Sequence, residues 1–335
     1  MGRVHYAWVV AGVAFATLVA AAGFRAAPGV LMVPLHEAGW SISTMSAAVS
    51  VNLVLYGLIA PFAAALMDRF GIRRVVCVGL LLIAAGAGLS VLATTAWHLI
   101  LTWGLLIGAG TGSMAMVFAA TVANAWFVKR RGLVMGVLTA GGAAGQLVFL
   151  PLVAHLVEVT DWKVASLIVA AAALAVLPLA VALLRDRPSD VGLPPYGGEA
   201  VIPAAPPRGN AAAAALAALR TAAHTRAFWA LAGAFAICGA TTNGLIGIHF
   251  VPSAHDHGMA TTTAAGLMVV GVFDIVGTIA SGWLTDRVDP RILLLAFYAF
   301  RGVGLLLLPW LLSDEVHPSM VLFIVVYGLD WVATV

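Results

Sequence analysis

The feature that most limits what this chain can fold into is a series of long runs without Asp, Glu, Lys or Arg. They are Val4 to Phe24, Ser41 to Met67, Val75 to Thr160 apart from a basic cluster at 129–131 and Glu158, and Val164 to Leu184. A hydrocarbon layer of ~30 Å takes ~20 helical residues to cross, and a helix satisfies its own backbone polar groups on the way. Charged residues are 9% of the 335, against about 25% in an ordinary soluble domain. With 62% of residues hydrophobic, a water-soluble core could not hide the apolar surface. The class implied is an all-α, multi-pass membrane protein. The run after Arg3 is too long for the apolar core of a secretory leader and reads as a retained first membrane helix.

The runs are organised as two copies of one unit. Asp68-Arg69-Phe70-Gly71-Ile72-Arg73-Arg74 returns as Asp286-Arg287-Val288-Asp289-Pro290-Arg291, 218 residues on. The same offset relates Val33-Pro34 to Val251-Pro252, and an offset of 219 relates His36-Glu37-Ala38-Gly39 to His255-Asp256-His257-Gly258. Internal repetition in a helical membrane chain is the mark of secondary transporters, whose two halves rock about a shared site.

Apolar periodicity and turn residues predict helices at 6–35, 43–67, 74–95, 97–125, 131–155, 163–184, 226–252, 260–284, 291–312 and 317–335. This divides the chain into a six-helix bundle (1–187), a Pro-, Gly- and Ala-rich linker (188–225) with a short interfacial helix near 211–223, and a four-helix bundle (226–335). Repeat logic predicts about two further helices to complete the second bundle. Of 17 Lys and Arg residues, 14 fall in alternate loops on one side, the pattern that places that side and the N-terminus in the cytoplasm. The basic pI of about 9.1 therefore reports orientation rather than nucleic-acid binding. Cys77 and Cys238 lie inside apolar segments with no metal-ligand spacing, and the Ala and Gly richness suggests a bacterial inner membrane.

Ala64-Ala65-Leu66-Met67-Asp68-Arg69-Phe70-Gly71-Ile72-Arg73-Arg74 resembles the signature of the major facilitator superfamily between helices 2 and 3, with Ala64 in place of the usual glycine. Trp126 to Gly132 with Gly136, Gly141 and Gly145, and Asp161-Trp162-Lys163, resemble its helix 4–5 and helix 6 regions. The resemblance implies two pseudo-symmetric six-helix bundles, the second incomplete with about ten helices present, acting as a monomer without cofactor or metal. Within the superfamily the chain is most similar to the monocarboxylate and oxalate–formate transporters. Arg25 sits where that branch often has a basic residue in helix 1, and Asp274 resembles its helix 8 aspartate. Those carriers place an arginine four residues later, where this chain has Thr278, so their substrate-binding pair is incomplete here.

An ionisable group at bilayer depth costs about 2.5–3.5 kcal/mol on insertion scales. Four stand out: Arg25, Asp274, Arg301 and Asp330. Helical rise puts Asp274 ~18 Å from Asp286 and Arg301 ~15 Å from Arg291, near mid-membrane on consecutive helices. Arg25 is the candidate for a substrate carboxylate, because a guanidinium grips two oxygens at once, and Pro28-Gly29 is expected to break its helix beside it. Asp274 is the candidate proton-coupling group. Arg301 either supplies the arginine missing at Thr278 or neutralises Asp274, and its plainer reading is a fixed Asp274–Arg301 pair. Asp330 either functions or pairs with something beyond the present helices. Asn243, matching Arg25 under the repeat, is a further substrate-binding candidate, with Thr241 and Thr242 weaker ones; His249 could join a proton path, though a lone helical histidine more often just bonds a neighbour. Asp68, Arg69, Arg73, Asp286 and Arg287 are candidate gating charges that pair in one state and part in the other. Gly108-Ala109-Gly110-Thr111-Gly112 and Gly141-Gly142-Ala143-Ala144-Gly145 read as close helix packing, not phosphate loops. His255, Asp256 and His257 are weak as a metal site.

The function expected is transport of a small organic anion, a monocarboxylate, by alternating access with a proton or a counter-anion, as symport or antiport across a lipid bilayer. Efflux of a hydrophobic drug-like compound and a non-transporting sensor are the alternatives. No hydrolase or metalloprotease motif is present, so an enzyme is not expected.

Overall fold

The computed structural model describes residues 5–201, 211–250, 253–254, 257–258, 270–312 and 316–330, without the side chains of 24–30, 33, 150, 154, 158, 211, 243–244, 247–249 and 270. Contacts divide the chain into two units, Met1–Ala215 and Leu216–Val335.

In the first unit, α1 (Tyr6–Glu37) and α2 (Ile42–Phe70) are joined by a short turn through Gly39, and α2 is capped by the Ser41 hydroxyl on the Thr44 amide. Next come α3 (Ile72–Ser90), α4 (Ala96–Trp126), α5 (Arg131–Val159) and α6 (Trp162–Leu183). The expected break at Pro28-Gly29 is not seen, since α1 is continuous across it. A proline amide lost in an apolar helix leaves a carbonyl that local adjustment can re-satisfy, so the residue need not end the helix. All six are long and apolar enough to cross a membrane. Leucines such as Leu53, Leu58 and Leu81 stay exposed, which suits helices long and apolar enough to cross a membrane.

Glycines set the packing. Between α5 and α1, a Cβ on Gly145 would meet the Val19 carbonyl oxygen at 2.5 Å and Ala22 Cβ at 2.6 Å, and one on Gly141 would meet the Phe15 ring. In α4, Gly108 and Gly112 face α2 at Asn52 and Leu55, while Gly110 faces α3 at Gly79 and Ile83. The glycine strings are therefore contact surfaces, as the sequence implied. Turns of α4 widen over Ile100–Ile107, and Asn52 Nδ2 reaches across from α2 to donate to the Trp103 carbonyl at 2.8 Å. Widened turns free such carbonyls for a neighbour.

A short helix Ala211–Ala223, within which the division between the units falls, leads into α7 of the second unit, which is regular over Arg226–Gly239 and widened over Ala240–His249. Then follow α8 (Val270–Thr285), α9 (Pro290–Leu311) and α10 (Pro318–Leu329). Of these, α9 is long and apolar enough to span a membrane, and α8 and α10 are shorter within the described residues. Helices α8 and α10 pack most closely, with Leu329 backbone seated on Gly277.

Candidate functional site

Among the described residues, candidate charges gather at one place in each unit.

The site in the second unit is buried among α7 to α10. Asp274, in the first turns of α8, is 4% exposed, and the Thr278 hydroxyl one turn on donates to its Oδ1 at 3.0 Å. Ser281, a further turn along, is also buried. On α9, Arg301 is 2% exposed. Its Nε donates to Asp330 Oδ2 at 2.8 Å and its Nη2 to the Asp330 carbonyl at 2.5 Å. The rings of Tyr298 and Tyr327 lie 5.7 and 5.8 Å from the guanidinium, and Cys238 of α7 lies beside it. Thr241 and Thr242, at the start of the widened turns of α7, face the Tyr327 hydroxyl. Beside the pair, an apolar crevice of about 240 Å³ opens between α9 and α10, lined by residues such as Phe300, Leu307 and Phe323.

This corrects two expectations. The ion pair formed by Arg301 among the described residues is with Asp330, not Asp274, and it ties α9 to α10 rather than α8 to α9. Asp330 likewise finds its partner within the chain instead of beyond it. The reason is geometric: α8 meets α10 backbone to backbone at Gly277, which brings the end of α10 beside the middle of α9. The side chains of Arg25, Asn243 and His249 lie outside the described residues, as do His255 and Asp256.

The other site is on the basic side of the first unit. Gly71 joins α2 to α3 at φ +88°, a left-handed conformation that only glycine adopts without strain. The first turn of α3 has no local cap. Instead Asp186, just past α6, accepts a hydrogen bond from the Arg73 amide at 2.8 Å, and its carboxylate occupies the space a Cβ on Gly71 would need. At the equivalent repeat position the second unit has Asp289, which caps α9 itself by accepting from the Arg291 amide at 2.9 Å. A cavity of about 560 Å³ borders this loop, with Asp68, Arg69, Arg73, Arg74 and Arg187 in its wall. Arg69 lies 5.2 Å from the Phe70 ring. In the second unit Arg287 stacks on Trp283 at 3.8 Å and donates to its carbonyl, and Asp286 is on the same turn.

The chain after α6 then folds back over the first unit. The Tyr196 amide donates to the Trp126 carbonyl at 2.8 Å, and its carbonyl accepts from Val128 and Lys129. Its ring packs against His5, Trp8 and Phe127. Neither Asp186 nor Tyr196 is among the candidates read from the sequence; Tyr196 falls in the Pro-, Gly- and Ala-rich stretch expected to be linker.

Comparison with known proteins follows the same lines. The Major Facilitator Superfamily profile matches residues 13–335. Monocarboxylate transporter 11 of Mus musculus is 33% identical over 313 residues, covering 90% of this chain and 64% of that protein. Its Homo sapiens counterpart is 31% identical over 90% of this chain and 61% of its own length, so the chain spans under two thirds of both relatives. An uncharacterized transporter of Bacillus subtilis (strain 168), YcxA, is 26% identical over 98% of this chain and 78% of its own length. The crystal structure of the E. coli fucose:proton symporter FucP superposes with a TM-score of 0.69 at 16% identity, covering 98% of this chain and 83% of that one. With a profile match over nearly its whole length, the chain belongs to the major facilitator superfamily, a family of multi-pass membrane transporters rather than enzymes.

Proposed function

We propose that this protein is a secondary carrier for a small organic anion, a monocarboxylate, working by alternating access with proton coupling or by exchange. The observation that carries the reading is Asp274. It is a carboxyl with almost no exposure, in the interior of an apolar segment, held by the Thr278 hydroxyl. Such a group is costly in a membrane and needs a reason to persist there, and exchange of a proton during the transport cycle supplies one. Relatives named as monocarboxylate transporters supply the substrate class. In this reading Arg25 binds the carboxylate of the cargo, Asn243 contributes to its site, and Asp68, Arg69, Arg73, Asp286 and Arg287 act as gating charges. The basic loops face the cytoplasm of a bacterial cell, and the carrier works as a monomer.

The test is uptake of labelled short-chain monocarboxylates into proteoliposomes holding the full-length protein. Arg25→Ala lowers uptake at least about tenfold, since a hydrogen-bonded charge partner is lost. Asp274→Asn abolishes accumulation driven by a pH gradient while exchange of internal for external cargo continues. Uptake unchanged by Arg25→Ala, or accumulation persisting in Asp274→Asn, refutes the respective role. A second reading, export of a hydrophobic drug-like compound, is favoured by the apolar crevice between α9 and α10. Resistance lost on deletion, with no carboxylate uptake by the purified protein, decides for it.

A further inference from the structure

We propose that Arg301 is a positioning residue for Asp274, acting through the last turn of α10 rather than on the cargo. The proposal rests on the reading of Asp274 as the coupling acid. Arg301 lies ~15 Å along α9 from Arg291, and it holds one residue by two different groups. Its Nε takes the Asp330 carboxylate, and its Nη2 takes the Asp330 main-chain carbonyl. A planar guanidinium that bonds side chain and backbone together fixes that residue in position and direction. The rings of Tyr298 and Tyr327, 5.7 and 5.8 Å away, restrict the guanidinium further.

The residue before Asp330 carries the connection to α8. Leu329 packs its main chain on Gly277, where an added Cβ would lie 2.5 Å from the Leu329 carbonyl carbon and 2.6 Å from its Cα. Thr278, next along α8, donates to Asp274. No flexible side chain lies between the two backbones, so a shift of the α10 end is transmitted to the turn that holds Asp274. Breaking a buried pair by removing one partner leaves an uncompensated charge, whereas removing both with apolar residues of similar volume is often neutral. This difference separates a positioning role from direct contact with cargo.

The experiment compares Arg301→Ala, Gly277→Ala and the double variant Arg301→Met/Asp330→Leu in the full-length protein in proteoliposomes. Two quantities are read: KM and Vmax for monocarboxylate uptake, and the rate at which dicyclohexylcarbodiimide modifies Asp274, followed by mass spectrometry without cargo. Arg301→Ala and Gly277→Ala are expected to lower Vmax about tenfold with KM within about twofold. Both should also change the modification rate of Asp274 by about fivefold or more, and the double variant should return both quantities to within about threefold of the parent. A KM raised about tenfold by Arg301→Ala and not restored in the double variant would mean that Arg301 touches the cargo, and the proposal falls. It also falls if Asp274 is modified at the parental rate in both single variants. If the parent moves no monocarboxylate, the functional reading fails and the carbodiimide arm alone decides the positioning role.

Discussion

Gly71→Ala tests how the superfamily's signature loop is held. The substitution acts twice. At φ +88° a side chain costs about 1–2 kcal/mol of backbone strain. The new Cβ also occupies the place of the Asp186 carboxylate, which then leaves the Arg73 amide. Loss of an N-terminal cap costs about 1–2 kcal/mol. The sum is about 2–4 kcal/mol, a large change for one methyl group. Asp186→Ala alone loses only the cap, about 1–2 kcal/mol. In the Asp186→Ala background the collision is gone, and Gly71→Ala should cost only its strain. The double variant is therefore expected to be less destabilised than the sum of the singles, by about the value of the cap. Equilibrium unfolding of the purified protein in mixed micelles, titrated with a denaturing detergent, gives all three values. Strict additivity would show that Gly71 and Asp186 act independently and would refute a cap supplied across 113 residues.

Two further outcomes are expected. Gly145→Val should reduce the yield of folded protein and destabilise it by more than about 3 kcal/mol by forcing α5 away from Val19 and Ala22, while Gly12→Ala, with nothing within 4 Å, should be neutral or stabilising by up to about 1 kcal/mol. Uptake should respond to a pH gradient or to internal anion, while a potential imposed with valinomycin changes it less than about twofold, although one charge moved across 100 mV would be worth about 2.3 kcal/mol.

Local chemistry made much of the fold legible. Basic residues and turn residues marked the ends of the hydrophobic segments, and the helix at Ala211–Ala223 was visible in its alanine-rich composition. The two glycine strings were legible because only close approach explains clustered small residues in apolar helices. What escaped depended on contacts between distant parts of the chain. Asp186 looks like an ordinary loop aspartate until Gly71, over a hundred residues earlier, is seen to lack a side chain of its own for the cap. Tyr196 sits in a Pro-rich stretch whose composition argues for free chain, yet its backbone pairs with Trp126 and Val128. The insertion cost of a buried charge says that Arg301 and Asp330 need partners, and it does not say which. Consecutive helices suggested Asp274 as the partner of Arg301. The close meeting of α8 and α10 at Gly277 made it Asp330.

That pairing changes the charge balance on which the proposed transport depends. The sequence holds two intramembrane arginines and two aspartates, and Arg301 with Asp330 neutralise one another. In the proposed mechanism Arg25 and Asp274 remain as the charges that change company. Without cargo, a charged Arg25 and an ionised Asp274 sum to zero. With a carboxylate on Arg25 and a proton on Asp274, the sum is again zero. Each state that reorients is then neutral within the membrane, so neither incurs the cost of carrying a bare charge through the low-dielectric interior. Had Arg301 been a second free cation, the loaded carrier would hold an uncompensated positive charge, and its reorientation would depend on voltage. In the proposed cycle the Arg301–Asp330 pair is thus what would let reorientation stay electroneutral with one arginine for one carboxylate.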